Sequence, residues 1–392
     1  MSLAQALFAP RSVALVGASG DAAKNTARPQ RYLKKHGYAG KVFPVNPTRK
    51  EILGEKAYAR VSDIEEAVDH AYILIEDVEQ ALEDCGRRGV AVASVFSGGF
   101  ADAGAQGMRR QAELVSRARS LGVRLLGPNS MGVIDVPGRL ALSVNAVLEM
   151  DTLPAGTTSI VSQSGTMLGT LLSRGAARGL GFAKLVSVGN EADLSVGELV
   201  ELLAADPGTR VVLLFLETIR DVERLARAVR AAHAAGKAVV AYKLGRSALG
   251  EAAALSHTGA LAGTDAALDA FFRDCGILRV DMLETLLEIP PLLAQWSPRN
   301  LDRAGKVFVV TTTGGGAASV VDRLGMRGVE LAAPIMDLTM AASGQNYAEA
   351  LEKASASQCE LVVACVGSSA QFHPQLAVEP IMNAPKGKPV VA

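Results

Sequence analysis

His257 lies in Leu255-Ser256-His257-Thr258-Gly259-Ala260-Leu261-Ala262-Gly263, a run of small residues just ahead of a predicted helix. Substrate can reach an imidazole in such a loop. Two further turns converge on the same chemistry, Ser162-Gln163-Ser164-Gly165-Thr166 and Thr311-Thr312-Thr313-Gly314-Gly315-Gly316, each following an apolar strand and opening a helix. Helix N-termini carry unpaired N–H groups and the positive end of the helix dipole, so they bind phosphate. A histidine between two such ends is a candidate phosphoryl carrier.

The strand Val211-Val212-Leu213-Leu214-Phe215 runs into Leu216-Glu217-Thr218, which puts Glu217 on the carboxyl edge that also carries the His257 loop. A carboxylate there can take the proton of one imidazole nitrogen and leave the other nucleophilic. An exposed strand-end glutamate is the plain alternative. At the first turn, Ser162, Ser164 and Thr166 offer hydroxyl donors and Gly165 a free N–H, as Gly314, Gly315 and Gly316 do at the second. Simple N-capping explains such serines and threonines equally well. A serine hydrolase is disfavoured, because neither Ser162 nor Ser164 sits in G-x-S-x-G. His36, His70, His233 and His373 read as structural or surface residues.

A third turn, Gly17-Ala18-Ser19-Gly20, follows the first strand, where open α/β sheets hold phosphates against a helix start. It lacks the G-x-G-x-x-G pattern, and the second strand ends in Val45-Asn46-Pro47 rather than in an acid for a ribose hydroxyl. A nicotinamide cofactor is therefore disfavoured, and another adenosine-phosphate ligand stays open beside a merely structural turn. Asn129, in Gly127-Pro128-Asn129-Ser130, offers donors and acceptors at a later strand end of the same sheet.

Short β-branched runs alternate with amphipathic segments along all 392 residues, the pattern of parallel sheets covered by helices on both faces. The expected fold is α/β with three doubly wound domains. A Rossmann-like domain covers residues 1–135 and a second domain 155–290, with Pro137, Gly138, Pro154 and Gly156 between them. A third covers 304–392 and is expected to be incomplete, since Lys388-Pro389-Val390-Val391 reads as the start of a strand.

Forty basic residues balance forty acidic ones without clustering, so neither nucleic acid nor an anionic membrane is indicated. No apolar run reaches the ~20 residues of a membrane span and no signal peptide is recognisable, so a cytoplasmic location is expected. Cys85, Cys275, Cys359 and Cys365 lack CxxC spacing and read as buried free thiols. No metal site is expected.

Taken in order, Gly17-Ala18-Ser19, Val45-Asn46-Pro47, Gly127-Pro128-Asn129, Ser162 to Thr166, Val188-Gly189-Asn190-Glu191-Ala192-Asp193, Leu216-Glu217 and Ser256-His257-Thr258-Gly259-Ala260 resemble the NDP-forming acyl-CoA synthetases. These are relatives of the succinyl-CoA synthetase alpha subunit and of ADP-forming acetyl-CoA synthetase. The resemblance implies a Rossmann-like CoA-binding domain followed by flavodoxin-like ligase domains. It implies a ping-pong reaction through acyl phosphate and phosphohistidine, with His257 phosphorylated and Glu217 orienting it. The helix starts at Ser162–Thr166 and Gly314–Gly316 become phosphate-stabilising, and Gly17, Ala18, Ser19, Gly20, Asn46, Pro47 and Asn129 line the coenzyme A site.

Three departures stand out. Ser130 replaces a frequent cysteine, Ile75-Glu76-Asp77 places acids near the CoA, and no ATP-grasp region is recognisable. The nucleotide step, with ADP or ATP and Mg²⁺, is expected to need an ATP-grasp domain or beta subunit, and a homo- or hetero-oligomer follows by analogy. The carboxylic acid or acyl-CoA substrate is not specified by the residues. A rival reading is a non-catalytic module that senses CoA or acyl-CoA, against which the retention of His257 counts.

Overall fold

A computed structural model describes residues 1–247, 249–250, 265–295 and 305–392. His257 and its loop lie outside the described residues. The chain forms two compact units, Met1–Ala294 and Gln295–Ala392.

In the first unit, β1 (Ser12–Val16), β2 (Lys41–Val45), the small hairpin β3 (Glu51–Ile52) and β4 (Glu55–Lys56), β5 (His70–Ile73), β6 (Val92–Val95) and β7 (Arg124–Leu126) come first. Five of them make a parallel sheet in the order β2-β1-β5-β6-β7. They are short and β-branched, and β1, β5 and β6 are buried along their whole length, as a sheet covered on both faces requires.

The second sheet contains β8 (Gly132–Asp135), β9 (Leu140–Ser143), β10 (Ala155–Ser162), β11 (Phe182–Ser187), β12 (Val211–Leu216), β13 (Ala238–Lys243) and β14 (Leu278–Val280). Its order is β14-β13-β12-β10-β11-β8-β9, with β8 and β9 antiparallel at one edge. In the second unit β15 (Val307–Thr311), β16 (Met336–Asp337), β17 (Leu361–Cys365) and β18 (Val390–Val391) form a parallel sheet ordered β16-β15-β17-β18.

In all three sheets the first strand lies between the second and the third of the parallel set. The winding direction reverses beside that first strand, which opens a crevice at its carboxyl end. The Gly17, Ser162 and Thr311 turns sit at these three reversal points.

The structure differs from the sequence expectation between the first two domains. Residues 132–143 are a hairpin that completes the second sheet, so the first sheet ends at Leu126 and the chain passes into the second sheet before Pro137. The Pro137-Gly138 signal is the hairpin's turn, held by the Gly138 N–H donating to Asp135 Oδ1 at 2.8 Å. Gly132 enters this hairpin at φ 101°, where a Cβ would collide with the Leu142 carbonyl, so glycine is needed there. All four cysteines are free and buried. Among the described residues no helix is long and apolar enough to cross a membrane.

His70 is the first residue of β5 and fully buried, rather than part of a connecting segment. Its Nδ1 lies 3.1 Å from the Ala6 carbonyl and its Nε2 2.8 Å from Ser94 Oγ. A carbonyl only accepts, so Nδ1 carries the proton and Nε2 accepts from the serine. Burial pushes this imidazole down to about 4. Its contribution to stability is therefore full above the unfolded-state value near 6.5 and is lost as pH falls toward 4, by up to about 3 kcal/mol. Urea unfolding of the parent and of His70→Gln between pH 7 and pH 4 checks this: the variant is less stable at pH 7 and the gap narrows with acid. Parallel pH profiles would contradict it.

Candidate functional site

At the reversal point of the second sheet, β10 delivers Ser162 to a turn and the chain re-enters a helix at Gly165–Ala176. Ser162 is fully buried and its hydroxyl donates to the Ser164 carbonyl at 2.6 Å, so it braces the turn from inside instead of presenting its proton outward. Ser164 is the N-cap, its Oγ accepting from the Met167 N–H at 3.4 Å and lying 3.3 Å from Thr166 Oγ1. The N–H groups of Gly165 and Thr166 have no hydrogen-bond partner among the described residues, and Thr166 is exposed. These are the donors an anion would use. A Cβ on Gly165 would fall 2.5 Å from Met131 Cγ, so glycine lets the methionine pack against the helix start.

The side chain of Gln163 ties three strand ends together. Its Oε1 accepts from the N–H groups of Glu217 at 2.6 Å and Thr218 at 2.9 Å. Its Nε2 donates to Glu191 Oε2 at 2.8 Å and to the Thr218 carbonyl at 2.9 Å. Glu191 is buried, at φ 56°, and also accepts from the Val196 N–H at 2.7 Å. Burial pushes its carboxyl up, against the pull of those two donors. Glu217 is 7 % exposed, which sets aside an exposed strand-end residue. It lines a small polar crevice together with Gln163, Asn190, Arg220 and, from the first domain, Asp102 and Asn129.

Sequence reasoning gave no role to Gln163, Glu191 or Asp102. The signal available was the amide itself, whose two donors and two acceptors suit a bridge between strand ends. Asp102 accepts from Asn190 Nδ2 at 2.8 Å and from the Gly99 and Phe100 N–H groups. Burial would raise its carboxyl, but these hydrogen bonds outweigh it and hold the group low.

The second unit repeats the construction. Thr311 is buried and its Oγ1 donates to the Thr313 carbonyl at 2.7 Å, as Ser162 does to Ser164. Thr313 caps the helix Gly314–Gly325 by accepting from the Gly316 N–H at 3.4 Å. Thr312 Oγ1 accepts from the Gly367 N–H at 2.9 Å, in the manner of Gln163 with Glu217. Gly367 thus stands where the first copy has Glu217, so only one copy carries the carboxylate.

In the first domain Gly17 adopts φ 88° and packs against Ile75 at the end of β5. Asn46 Nδ2 donates to the Ala18 carbonyl at 3.0 Å, and Asn46 Oδ1 accepts from the Thr48 N–H across Pro47. Ser19 Oγ accepts from the Asp21 N–H at 3.1 Å. The turn does not open straight onto a helix. A 3₁₀ turn (Asn25–Ala27) intervenes and the helix starts at Arg28. Residues 21–24 are therefore spent on a loop, and Gly20, just before it, is exposed.

Asn129, at φ 59°, is exposed and lies 3.5 Å from Asn190 through its Nδ2. Ser130 is buried, its Oγ donating to the Ser187 carbonyl at 2.5 Å, which ties the first domain to β11. Asp77 caps the helix Val78–Arg88, accepting from the Gln80 N–H, so one of the two unexpected acids is employed structurally. Among the described residues no cluster of three or more His, Cys, Asp or Glu is set up to hold a metal.

The Gln163 bridge makes a stability prediction. Gln163→Leu strands a buried carboxylate and two backbone N–H groups and costs about 2–4 kcal/mol in urea unfolding. The double variant Gln163→Leu/Glu191→Leu costs less than the sum of the two single changes, because each removes the other's stranded partner. Strict additivity would contradict the bridge.

Comparison with known proteins agrees with this architecture. Residues 11–135 match the CoA binding domain family and residues 155–293 the succinyl-CoA ligase like flavodoxin domain family. The chain is 36 % identical over 322 residues to the acetate–CoA ligase (ADP-forming) I subunit alpha of Pyrococcus furiosus, covering 81 % of this chain and 68 % of that subunit. It is 36 % identical over 328 residues to acetate–CoA ligase (ADP-forming) I of Archaeoglobus fulgidus, covering 83 % of this chain and 46 % of that protein. The chain thus spans about half the length of that relative. Among solved structures it superposes on the dinucleotide forming acetyl-coenzyme A synthetase 1 of Ca. Korarchaeum cryptofilum, in complex with phosphate and ADP. That match has a TM-score of 0.89 at 29 % identity, covering 100 % of this chain and 88 % of that one. The chain belongs to the ADP-forming acyl-CoA synthetase family.

Proposed function

We propose that this chain is the CoA-binding and phosphoryl-carrying component of an acid–CoA ligase that forms ATP from ADP. The observation that carries the reading is the capped helix start at Ser164-Gly165-Thr166, open to an anion and joined through Gln163 to the buried Glu217. A phosphate oxygen held there attacks the thioester carbon of an acyl-CoA. The C–S bond breaks, CoA leaves as its thiol, and an acyl phosphate remains. A nitrogen of His257 then attacks phosphorus and the carboxylate departs. The phosphoryl group finally passes from His257 to ADP, brought with Mg²⁺ by an ATP-grasp domain or subunit.

Preorganised N–H donors stabilise the charge that develops on the phosphoryl oxygens. The names of the relatives, all ligases, support catalysis over a sensing role. The Pyrococcus relative is named as an alpha subunit, which supports a hetero-oligomer.

Labelled inorganic phosphate mixed with the chain, Mg²⁺ and a panel of acyl-CoAs tests this half-reaction. Acid-labile label is expected on the parent and none on His257→Ala. Glu217→Gln is expected to slow labelling about 10²-fold or more with CoA binding unchanged. No label on the parent, with CoA demonstrably bound, would support the sensing module instead.

A further inference from the structure

A groove of about 620 Å³ begins at Thr166, the exposed first-turn residue of the phosphate-side helix, and reaches Asn25 and Arg28 beyond the Gly17–Gly20 turn. Its volume is in the range that holds a drug-sized ligand, room that the thioester arm of a CoA at the Gly17–Gly20 turn would share with the acyl group. Its walls include Met131, Val144, Val147, Phe96 and Thr170. Met131 packs on Gly165 at the anion site itself. Asn145 fixes that corner, its Nδ2 donating to the Gly165 carbonyl at 2.9 Å and lying 3.5 Å from Met131 Sδ.

Two arginines, Arg28 and Arg174, line the groove. Arg28 Nη1 donates to the Val144 carbonyl at 3.1 Å. Arg174 pairs with Glu284 at 2.8 Å and stands eight residues beyond Thr166, about 12 Å along the helix.

Resting on the proposed ligase reading, we infer that this groove is the acyl pocket, and that it selects an apolar monocarboxylic acyl group longer than acetyl, with Met131 and Thr170 setting its size. The geometry follows from the reaction. The thioester carbon must lie next to a phosphate held at Gly165 and Thr166, so its substituent extends along the wall that adjoins Thr166. Thr170 is one turn further on the same face and half-buried, so its side chain borders the acyl group's path.

The test compares phosphate-labelling kcat/KM for acetyl-, butyryl-, isovaleryl-, phenylacetyl- and succinyl-CoA in the parent, Thr170→Phe and Met131→Ala. In the parent, at least one apolar acyl-CoA longer than acetyl exceeds both acetyl-CoA and succinyl-CoA by about tenfold or more, the discrimination an apolar pocket gives per methylene. Thr170→Phe, which fills the groove away from the core, cuts that ratio about tenfold or more. Met131→Ala moves the optimum to a larger acyl group.

Acetyl-CoA or succinyl-CoA preferred by the parent, or ratios unmoved by both substitutions while labelling persists, would overturn the pocket assignment and leave the ligase reading standing. No label from any acyl-CoA on a parent that binds CoA would remove both.

Discussion

Backbone N–H groups left unpaired where a parallel strand hands over to a helix are the feature on which the rest of this chain depends. Secondary structure satisfies nearly every other amide in the core, but the first turn of a helix cannot satisfy its own. The fold sets two such helix starts at a reversal of winding, where neighbouring connections diverge and leave room for a ligand. A buried hydroxyl at the strand's last residue, Ser162 or Thr311, holds the carbonyl of the capping residue. The N–H groups that follow are thereby held outward.

In the proposed reaction the first domain has to be registered against this helix start, because a thioester carried by one would have to meet a phosphate held by the other. Polar ties supply that registration. Arg124, on β7, donates to Asp193 at 2.8 Å and to Glu198 at 2.8 and 2.9 Å, and Arg224 approaches the same Glu198 at 3.1 Å. Both carboxylate side chains are buried, so the pairing satisfies groups that would be costly to leave alone. Ser130 reaches Ser187, and the Ser187 hydroxyl in turn accepts from the Met131 N–H at 3.0 Å. Met131 is thus delivered to the helix start at Gly165, and Asn129 to the crevice lined by Gln163 and Glu217. The hairpin β8–β9 grows directly out of this junction, which makes the first unit one body instead of two beads on a linker.

Much of this was legible in the residues. The apolar strands and the serine, threonine and glycine of each turn have strong local signatures, and the strand ends where Glu217 and Asn129 sit followed from them. Cooperative features escaped. Pro137-Gly138 reads as a linker or as a hairpin turn until the pairing of β8 with β11 decides it. Gln163 and Glu191 are polar residues whose pairing depends on three strand ends meeting, which no single segment reveals. His70 follows an aspartate, so it resembled a connection, yet its partners Ala6 and Ser94 are distant in sequence and make it part of the core. The delayed helix after Gly20 escaped because the turn chemistry is the same whether a helix follows at once or eight residues later.

The central claim is that the Gly165-Thr166 helix start is an anion site. A titration of the ¹⁵N-labelled protein with inorganic phosphate, read by TROSY spectra, tests it directly. The account predicts saturable shifts of the Gly165 and Thr166 amides. Amides at that helix start that stay unmoved, in a sample where CoA still shifts the Gly17–Gly20 amides, would contradict it.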